Sequence, residues 1–363
     1  MNANMAPGQP VNIALLGCGS VSSTYHAPAL EQLEQSEIVR FAGIFDPDSE
    51  PVARLTARFP SARRMSSPDD LSGIELAIVA SPPAFHARQS IDALRAGVTV
   101  LCEKPMASSV KEGHAMIAAA AESRGLLAIA LVRRFLPATQ AVRSILANRM
   151  LGELRSVACF EGGPFRWPAR STSFFDRSRG GVLLDVGAHM LDLLVWWLGG
   201  PDGVDYEDDA MGGVEANCRF VLQYDSGIRV EGRLSRDWEL PNRYFFDCVK
   251  GWMSWMPTEP ESVQIGFYDT SFALGAELHD RAVSFGRPVA GRKSINFEQA
   301  FIFQIRNVVD AMHRHASLVA PGADALKSLH LIDECYRHRK LMNMAWLTDL
   351  ESATARTEAG RVP

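Results

Sequence analysis

A lysine at the end of an apolar run and a histidine flanked by aspartates are the residues of this chain best suited to moving protons. The lysine stands in Val98-Thr99-Val100-Leu101-Cys102-Glu103-Lys104-Pro105. An unbroken apolar run of that length suits a central strand of a parallel sheet covered on both faces, and such sheets gather ligands at the carboxyl ends of their strands. Pro105 has a fixed φ and biases Lys104 away from helix, which gives the amine a defined direction. Beside Glu103, that ammonium could handle a proton or polarise a carbonyl, although the octapeptide by itself reads first as an ordinary ion pair at a strand end. The histidine belongs to Asp185, His189 and Asp192, spaced four and three residues apart where apolar positions recur at helical spacing from Leu184 to Leu198. The three therefore share one helix face. An imidazole between two carboxylates suits proton transfer, because a neighbouring anion sets its orientation and basicity. The plainer alternative is a helix cap at Asp185 and a satisfied histidine in a domain interface. No third ligand stands at a matching spacing, so no metal is expected.

The front of the chain supplies the elements that would position the lysine. Val11 to Leu16 reads as a strand, followed at once by Gly17-Cys18-Gly19-Ser20-Val21-Ser22 and by a helical run from about Ser23. This is a dinucleotide fingerprint with serine at the third glycine position. Gly17 allows the tight turn, Gly19 lets a pyrophosphate approach the backbone, and the helix N-terminus behind Ser20 and Val21 faces the negative charge. A second strand, Ile38 to Phe45, ends at Asp46. A carboxylate there can bind both ribose hydroxyls and would repel a 2′-phosphate, which favours NAD over NADP. Asp46 could instead simply open the turn before Pro47. Further strands at Leu76 to Ala80 and Leu126 to Leu131 end in Ser81-Pro82 and in Arg133-Arg134, and helices at 50–59, 84–96 and 109–124 alternate with them. That alternation predicts an α/β fold, a doubly wound parallel Rossmann sheet, over 11–132. Gly17, Asp46, Ser81, Lys104 and Arg133 then line one rim, and this convergence raises Lys104 above the ordinary reading.

After Met150 the pattern changes. Leu154 to Glu161, Val214 to Tyr224, Gly227 to Arg236, Arg243 to Lys250 and Val263 to Phe267 read as strands, the last four antiparallel with polar alternation. Phe297 to Ala316 and Ala323 to Ala345 read as amphipathic helices that pack across both domains. Residues 133–345 thus read as a second domain with an open antiparallel sheet. Residues 1–10 read as a flexible polar lead-in and 346–363 as a polar tail. An open antiparallel sheet needs a cover, which a second subunit could supply. Trp252 and Trp255 could join that contact or pack as loop residues on their own domain.

Composition narrows the partners. The chain has 363 residues, 47% hydrophobic and 22% charged, with a formal net charge of -5, which speaks against nucleic acid and anionic membranes. No apolar run approaches the roughly 18 residues of a membrane span. Six scattered cysteines without a C-x-x-C pair point to a reducing, cytoplasmic setting with buried thiols.

The constellation resembles the Gfo/Idh/MocA family of glucose–fructose oxidoreductase and inositol dehydrogenase. The matching residues are Gly17-Cys18-Gly19 with His26 and Pro28, Ser81-Pro82 with His86, Glu103-Lys104-Pro105, Gly180-Gly181 with Asp185-x-Gly187-x-His189-x-x-Asp192, and Pro321-Gly322-Ala323-Asp324-Ala325. The resemblance implies a nicotinamide-dependent dehydrogenase in which Lys104, Asp185 and His189 are the catalytic set. It places Gly17, Gly19, Ser20, Val21, Asp46, Ser81, Pro82, His86, Glu103, Lys104 and Arg133 around NAD. Arg134, Arg166, Trp167, Asp176, Arg179 and Asp192 are expected at the substrate, a sugar, cyclitol or sugar derivative; the arginines favour an anionic one, such as a uronate or nucleotide sugar, unless they meet the cofactor pyrophosphate. The resemblance also implies that residues 133–345 form an α+β substrate domain with a large, mostly antiparallel sheet, and a homo-oligomer paired through that sheet. Two alternatives share the scaffold: an NAD-dependent glycoside hydrolase and a non-catalytic dinucleotide-binding regulator.

Overall fold

The computed structural model describes residues 9–167, 180–211, 213–277, 296–344 and 347–359. It divides into two compact units. The first runs to Phe135 and takes back Asn296–Leu329; the second holds Leu136–Trp167, the chain that carries the large sheet, and the chain from His330.

In the first unit β1 (Val11–Leu16) leads through a π-helical turn (Ser22–His26) into α1 (Ala27–Gln35). Then come β2 (Val39–Phe45), α2 (Ser49–Arg58), the short β3 (Arg63–Arg64), β4 (Leu76–Val79), α3 (Pro83–Arg95), β5 (Thr99–Cys102), α4 (Val110–Glu122) and β6 (Leu127–Ile129). All six strands are parallel, in the order β3-β2-β1-β4-β5-β6. The order reverses between β1 and β4, so this is a doubly wound sheet with its switch point beside the glycine loop. β4 and β5 are buried along their whole length, which is why they read as continuous apolar runs. Side chains start the helices: Asp48 accepts from the Glu50 N–H for α2, and Ser109 from the Glu112 N–H for α4.

The second unit begins with α5 (Pro137–Ala147), β7 (Leu154–Gly162) and α6 (Val182–Leu198). It continues with β8 (Gly203–Asp208), β9 (Asn217–Gln223), β10 (Arg229–Ser235), β11 (Arg243–Cys248), β12 (Gly251–Trp255), β13 (Ser262–Phe267) and β14 (Ala273–Glu277). Helix α7 (Phe297–Met312) and helix α8 (Gly322–Arg337) as far as Leu329 return to the first unit, while the end of α8, strand β15 (Arg339–Leu341) and helix α9 (Asp349–Ala359) belong to the second. The sheet runs β14-β13-β12-β11-β7-β10-β9-β8-β15, antiparallel except at β7/β10 and β8/β15. Helix α6 lies on its inner face. Gly187 permits the approach, since a Cβ there would meet Leu234 Cδ1 of β10 at 2.8 Å.

Several expectations are corrected. Trp252 and Trp255 lie on β12, not in a loop. Trp255 is buried against Tyr244 and the edge of Trp197 of α6, while Trp252 stacks on Phe245 on the opposite face. The first unit runs on to Phe135, and α7 belongs to it and packs Phe301 on the Tyr25 ring. The last long helix stops at Arg337, where Arg339 turns inward to Asp208 and the chain pairs with β8. Much of the expected polar tail is α9, begun by a reciprocal box in which Thr348 Oγ1 accepts from the Glu351 N–H and Glu351 accepts from the Thr348 N–H. The flexible lead-in falls mostly outside the described residues.

All six cysteines are buried and unbridged. Among the described residues no helix is long and apolar enough to cross a membrane.

Candidate active site

Gly17 follows β1 with φ +100°, and a Cβ there would fall 2.5 Å from the Ala80 carbonyl oxygen and the Ser81 nitrogen. Only glycine lets the loop press on the end of β4. Ser22, the departure from the glycine pattern, is fully buried and donates its hydroxyl to the Gly17 carbonyl at 2.7 Å, so it ties the loop closed. Gly19 faces open space, with Ser20 and Val21 half-buried beside it. At the end of β2 the Asp46 carboxylate accepts from the Cys18 N–H at 2.7 Å and the Asp48 N–H at 2.9 Å. Asp46 therefore opens its turn and stands against the glycine loop at once. An open glycine backbone with a fixed carboxylate at the next strand end fits a dinucleotide, pyrophosphate at the loop and ribose at Asp46.

The neighbouring strand ends are tied to one another. His86 is buried, and its two ring nitrogens face the Ser81 carbonyl at 2.7 Å and the Pro105 carbonyl at 2.8 Å. Burial pushes its pKa below the ordinary histidine value, although the two carbonyls and Glu103 act the other way. This ring is a strut between the segments after β4 and β5. Ser81 Oγ donates to Gln89, and Pro82 precedes α3. Glu103 takes the Nε2 of fully buried His26 at 2.7 Å and the Lys104 N–H at 3.2 Å. The glycine loop's helix thereby fixes the backbone that presents Lys104, which is half-buried and joined to Pro105 by a cis peptide bond.

Arg133 is half-buried on the single turn after β6. Arg134 beside it departs from expectation. Its side chain is 1% exposed and donates to the Val319 carbonyl at 3.1 Å and to Asp324 at 3.2 Å. That is an anchor for the start of α8, not a surface held out to substrate.

In the second unit Asp185 and His189 are half-buried one turn apart on α6, whereas Asp192 is 1% exposed and belongs to the interior. Asp185 accepts from Arg236 Nη2 at 3.2 Å. The same nitrogen donates to the Gly181 carbonyl at 2.9 Å, and the guanidinium lies over the Phe165 ring. Arg236 was legible only as the last residue of a strand; its partner stands 51 positions away, and no local spacing announces the pair. Arg166 is exposed and Trp167 half-buried after β7. Asp176 and Arg179 lie outside the described residues. Among the described residues no group of three or more His, Cys, Asp or Glu could hold a metal ion.

Two family descriptions match the chain. "Oxidoreductase family, NAD-binding Rossmann fold" covers residues 11–131, and "GFO/IDH/MocA C-terminal domain" covers 139–254. The chain belongs to the Gfo/Idh/MocA family. Among curated proteins it is 33% identical over 199 residues to trans-1,2-dihydrobenzene-1,2-diol dehydrogenase of Bos taurus, covering 51% of this chain and 57% of that one. It is 30% identical over 201 residues to D-glucoside 3-dehydrogenase of Escherichia coli strain K12, covering 53% of this chain and 55% of that one. The chain thus spans a little over half the length of these relatives. Among solved structures, a levoglucosan dehydrogenase in complex with NADH and levoglucosan superposes with a TM-score of 0.79 at 18% identity, covering 91% of this chain and 97% of that one, a likeness of fold.

Proposed function

We propose that this Gfo/Idh/MocA protein is an NAD-dependent dehydrogenase acting on a secondary alcohol of a sugar, cyclitol or sugar derivative. The observation that carries the reading is Lys104, held by the Glu103–His26 pair at the end of β5 on the rim that bears Gly17 and Asp46. The Asp185–His189 turn of α6 supports it. The named activities of the relatives, on a dihydrodiol and a glucoside, agree in being dehydrogenations of carbon-bound hydroxyls. The negative charge of Asp46 favours NAD over NADP.

Bound nicotinamide supplies the acceptor for the hydride that leaves the alcohol carbon. The role proposed for His189 is to take the hydroxyl proton, and that for Lys104 is to donate a hydrogen bond to an oxygen on which negative charge gathers. Asp185 orients His189 or holds a neighbouring hydroxyl. Arg133, Arg166, Trp167, Asp176 and Arg179 remain proposed cofactor or substrate contacts. The half-buried aromatic residues Phe160, Phe245 and Trp252 on the sheet face opposite α6 support self-association through that face.

The test is NADH fluorescence across sugars, cyclitols, uronates and nucleotide sugars, with NADP run in parallel. Lys104→Ala and His189→Ala should each lower kcat by about 10²–10⁴-fold while NAD affinity holds. Normal turnover in both variants refutes the roles, and glycoside cleavage without net NADH replaces the dehydrogenase with a hydrolase.

A further inference from the structure

Helix α6 carries Asp185 and His189, yet its N-cap residue cannot cap it. The N-cap is Gly181, at φ +112°, which has no side chain to accept from the first turn. The first N–H groups of a helix need partners, and a buried start without them is costly. Both partners come from Glu215, in the segment before β9. Its backbone carbonyl accepts from the Val182 N–H at 3.1 Å, and its carboxylate Oε1 accepts from the Leu183 N–H at 3.1 Å. Contact is so close that a Cβ on residue 181 would fall 2.0 Å from Glu215 Oε1. A carboxylate at that end also meets the positive pole of the helix.

The carboxylate is itself held. Glu215 is 2% exposed; Tyr336 donates to Oε1 at 2.8 Å and Arg339 Nη2 to Oε2 at 3.4 Å. Arg339 Nε also donates to Asp208 at 2.6 Å, and Asp208, 0% exposed, accepts from Tyr206 at 2.8 Å. Two buried carboxylates share one guanidinium. Taking such charges out of water gives little net stability, so stability alone is a weak reason for the arrangement. The geometry explains it better, because the cluster fixes one oxygen at the first turn of the helix that bears the acid–base pair.

We propose that Glu215 is a positioning residue that clamps the N-terminal turn of α6 and so sets where Asp185 and His189 stand. Asp185 lies about 3 Å along the axis from Leu183, and His189 about 9 Å. Arg236 completes the clamp from the carbonyl side, through Gly181 and Asp185. A displacement of about 1 Å at a reacting group can cost about 10²-fold in rate. The clamp rests on the functional reading above for its consequence in catalysis, but not for its effect on the helix.

Two substitutions separate a clamp from a charge requirement. Glu215→Gln keeps an acceptor at the same reach without charge; Glu215→Asp keeps the charge and withdraws it by one methylene. The clamp predicts kcat within about threefold of wild type for Gln and lowered at least tenfold for Asp, with NAD affinity unchanged in both. Amide hydrogen exchange over residues 182–186 should accelerate in Asp and stay slow in Gln. Equal kcat in the two variants, or a worse Gln, overturns the proposal. So does unchanged exchange in Glu215→Asp. If wild type turns over no substrate in the panel, the functional reading fails while exchange still decides the clamp. If one variant does not fold, exchange and kcat of the other still decide, since the clamp requires wild-type behaviour of Gln and impairment of Asp.

Discussion

Arg134 and Asp324 offer a test in which sequence and structure disagree. As a substrate contact Arg134 would affect KM; as an anchor it would affect stability. The structure favours the anchor and also predicts an asymmetry between the partners. Arg134 is 1% exposed, whereas Asp324 is 33% exposed and has a second cation, Lys327, at 3.0 Å. Asp324→Ala takes the carboxylate from beside a buried guanidinium. Breaking a buried pair from one side costs about 3–5 kcal/mol, and the retained bond to the Val319 carbonyl puts this case at about 3. Arg134→Met leaves an accessible carboxylate with its lysine but deprives the Val319 carbonyl of its donor, so its cost is about 2 kcal/mol. At about 2–4 °C per kcal/mol for a unit of this size, Asp324→Ala should lower Tm by about 6–12 °C and Arg134→Met by about 4–8 °C.

Acid titration adds a sign. Burial works to raise the Asp324 pKa, but hydrogen bonds from Lys327 and Arg134 and their charges bring it below the ordinary carboxylate value. A lowered pKa gives stability that is present above the ordinary range and lost as pH falls through the folded value. The wild-type advantage over Asp324→Ala should therefore shrink on acidification. Calorimetric melts of both variants from neutral pH downward make the measurement. An Arg134→Met that melts lower than Asp324→Ala, or that raises KM tenfold at unchanged Tm, refutes the anchor.

Three other outcomes follow from single contacts. Gly17→Ala meets both a positive φ and backbone atoms at 2.5 Å, so it should cost about 2–3 kcal/mol and weaken NADH binding, read by melting and by fluorescence titration. Burial lifts the Glu215 pKa from an ordinary 4.5 to about 7, so its contribution is full below the ordinary value and lost as pH rises through about 7; Glu215→Gln should remove about 3 kcal/mol of stability change between pH 4 and 8 in urea melts. Trp252→Glu on the outer sheet face should shift sedimentation toward monomer if that face pairs copies of the chain, and an unchanged profile removes the face from the assembly.

Much of the first unit was legible because its signals are local. β1 and its glycine loop are contiguous, and β4 and β5 announce burial by unbroken apolar runs. Asp46, Ser81 and Lys104 each sit at a strand end, so a correct strand reading put them on one rim. β12 was missed because Gly251-Trp252-Met253-Ser254-Trp255 offers no simple alternation: Ser254 is as buried as Met253. Arg134 was read from its type as a ligand, while the carboxylate it pairs with lies 190 residues on.

The same contrast governs α6. Its spacing revealed Asp185 and His189 because a helix repeats within a few residues. What holds its first turn is spread over Glu215, Arg236, Tyr336 and Arg339, joined only once β8, β9, β10 and β15 lie side by side. Groups that touch a reacting atom must be of particular chemical types, and type is visible in a sequence. Groups that aim them need only reach, and reach is a property of the fold. Arg236 illustrates the difference: as a sequence residue it closes a strand, and as a structural one its single Nη2 ties the Gly181 carbonyl to the Asp185 carboxylate across the first turn of α6.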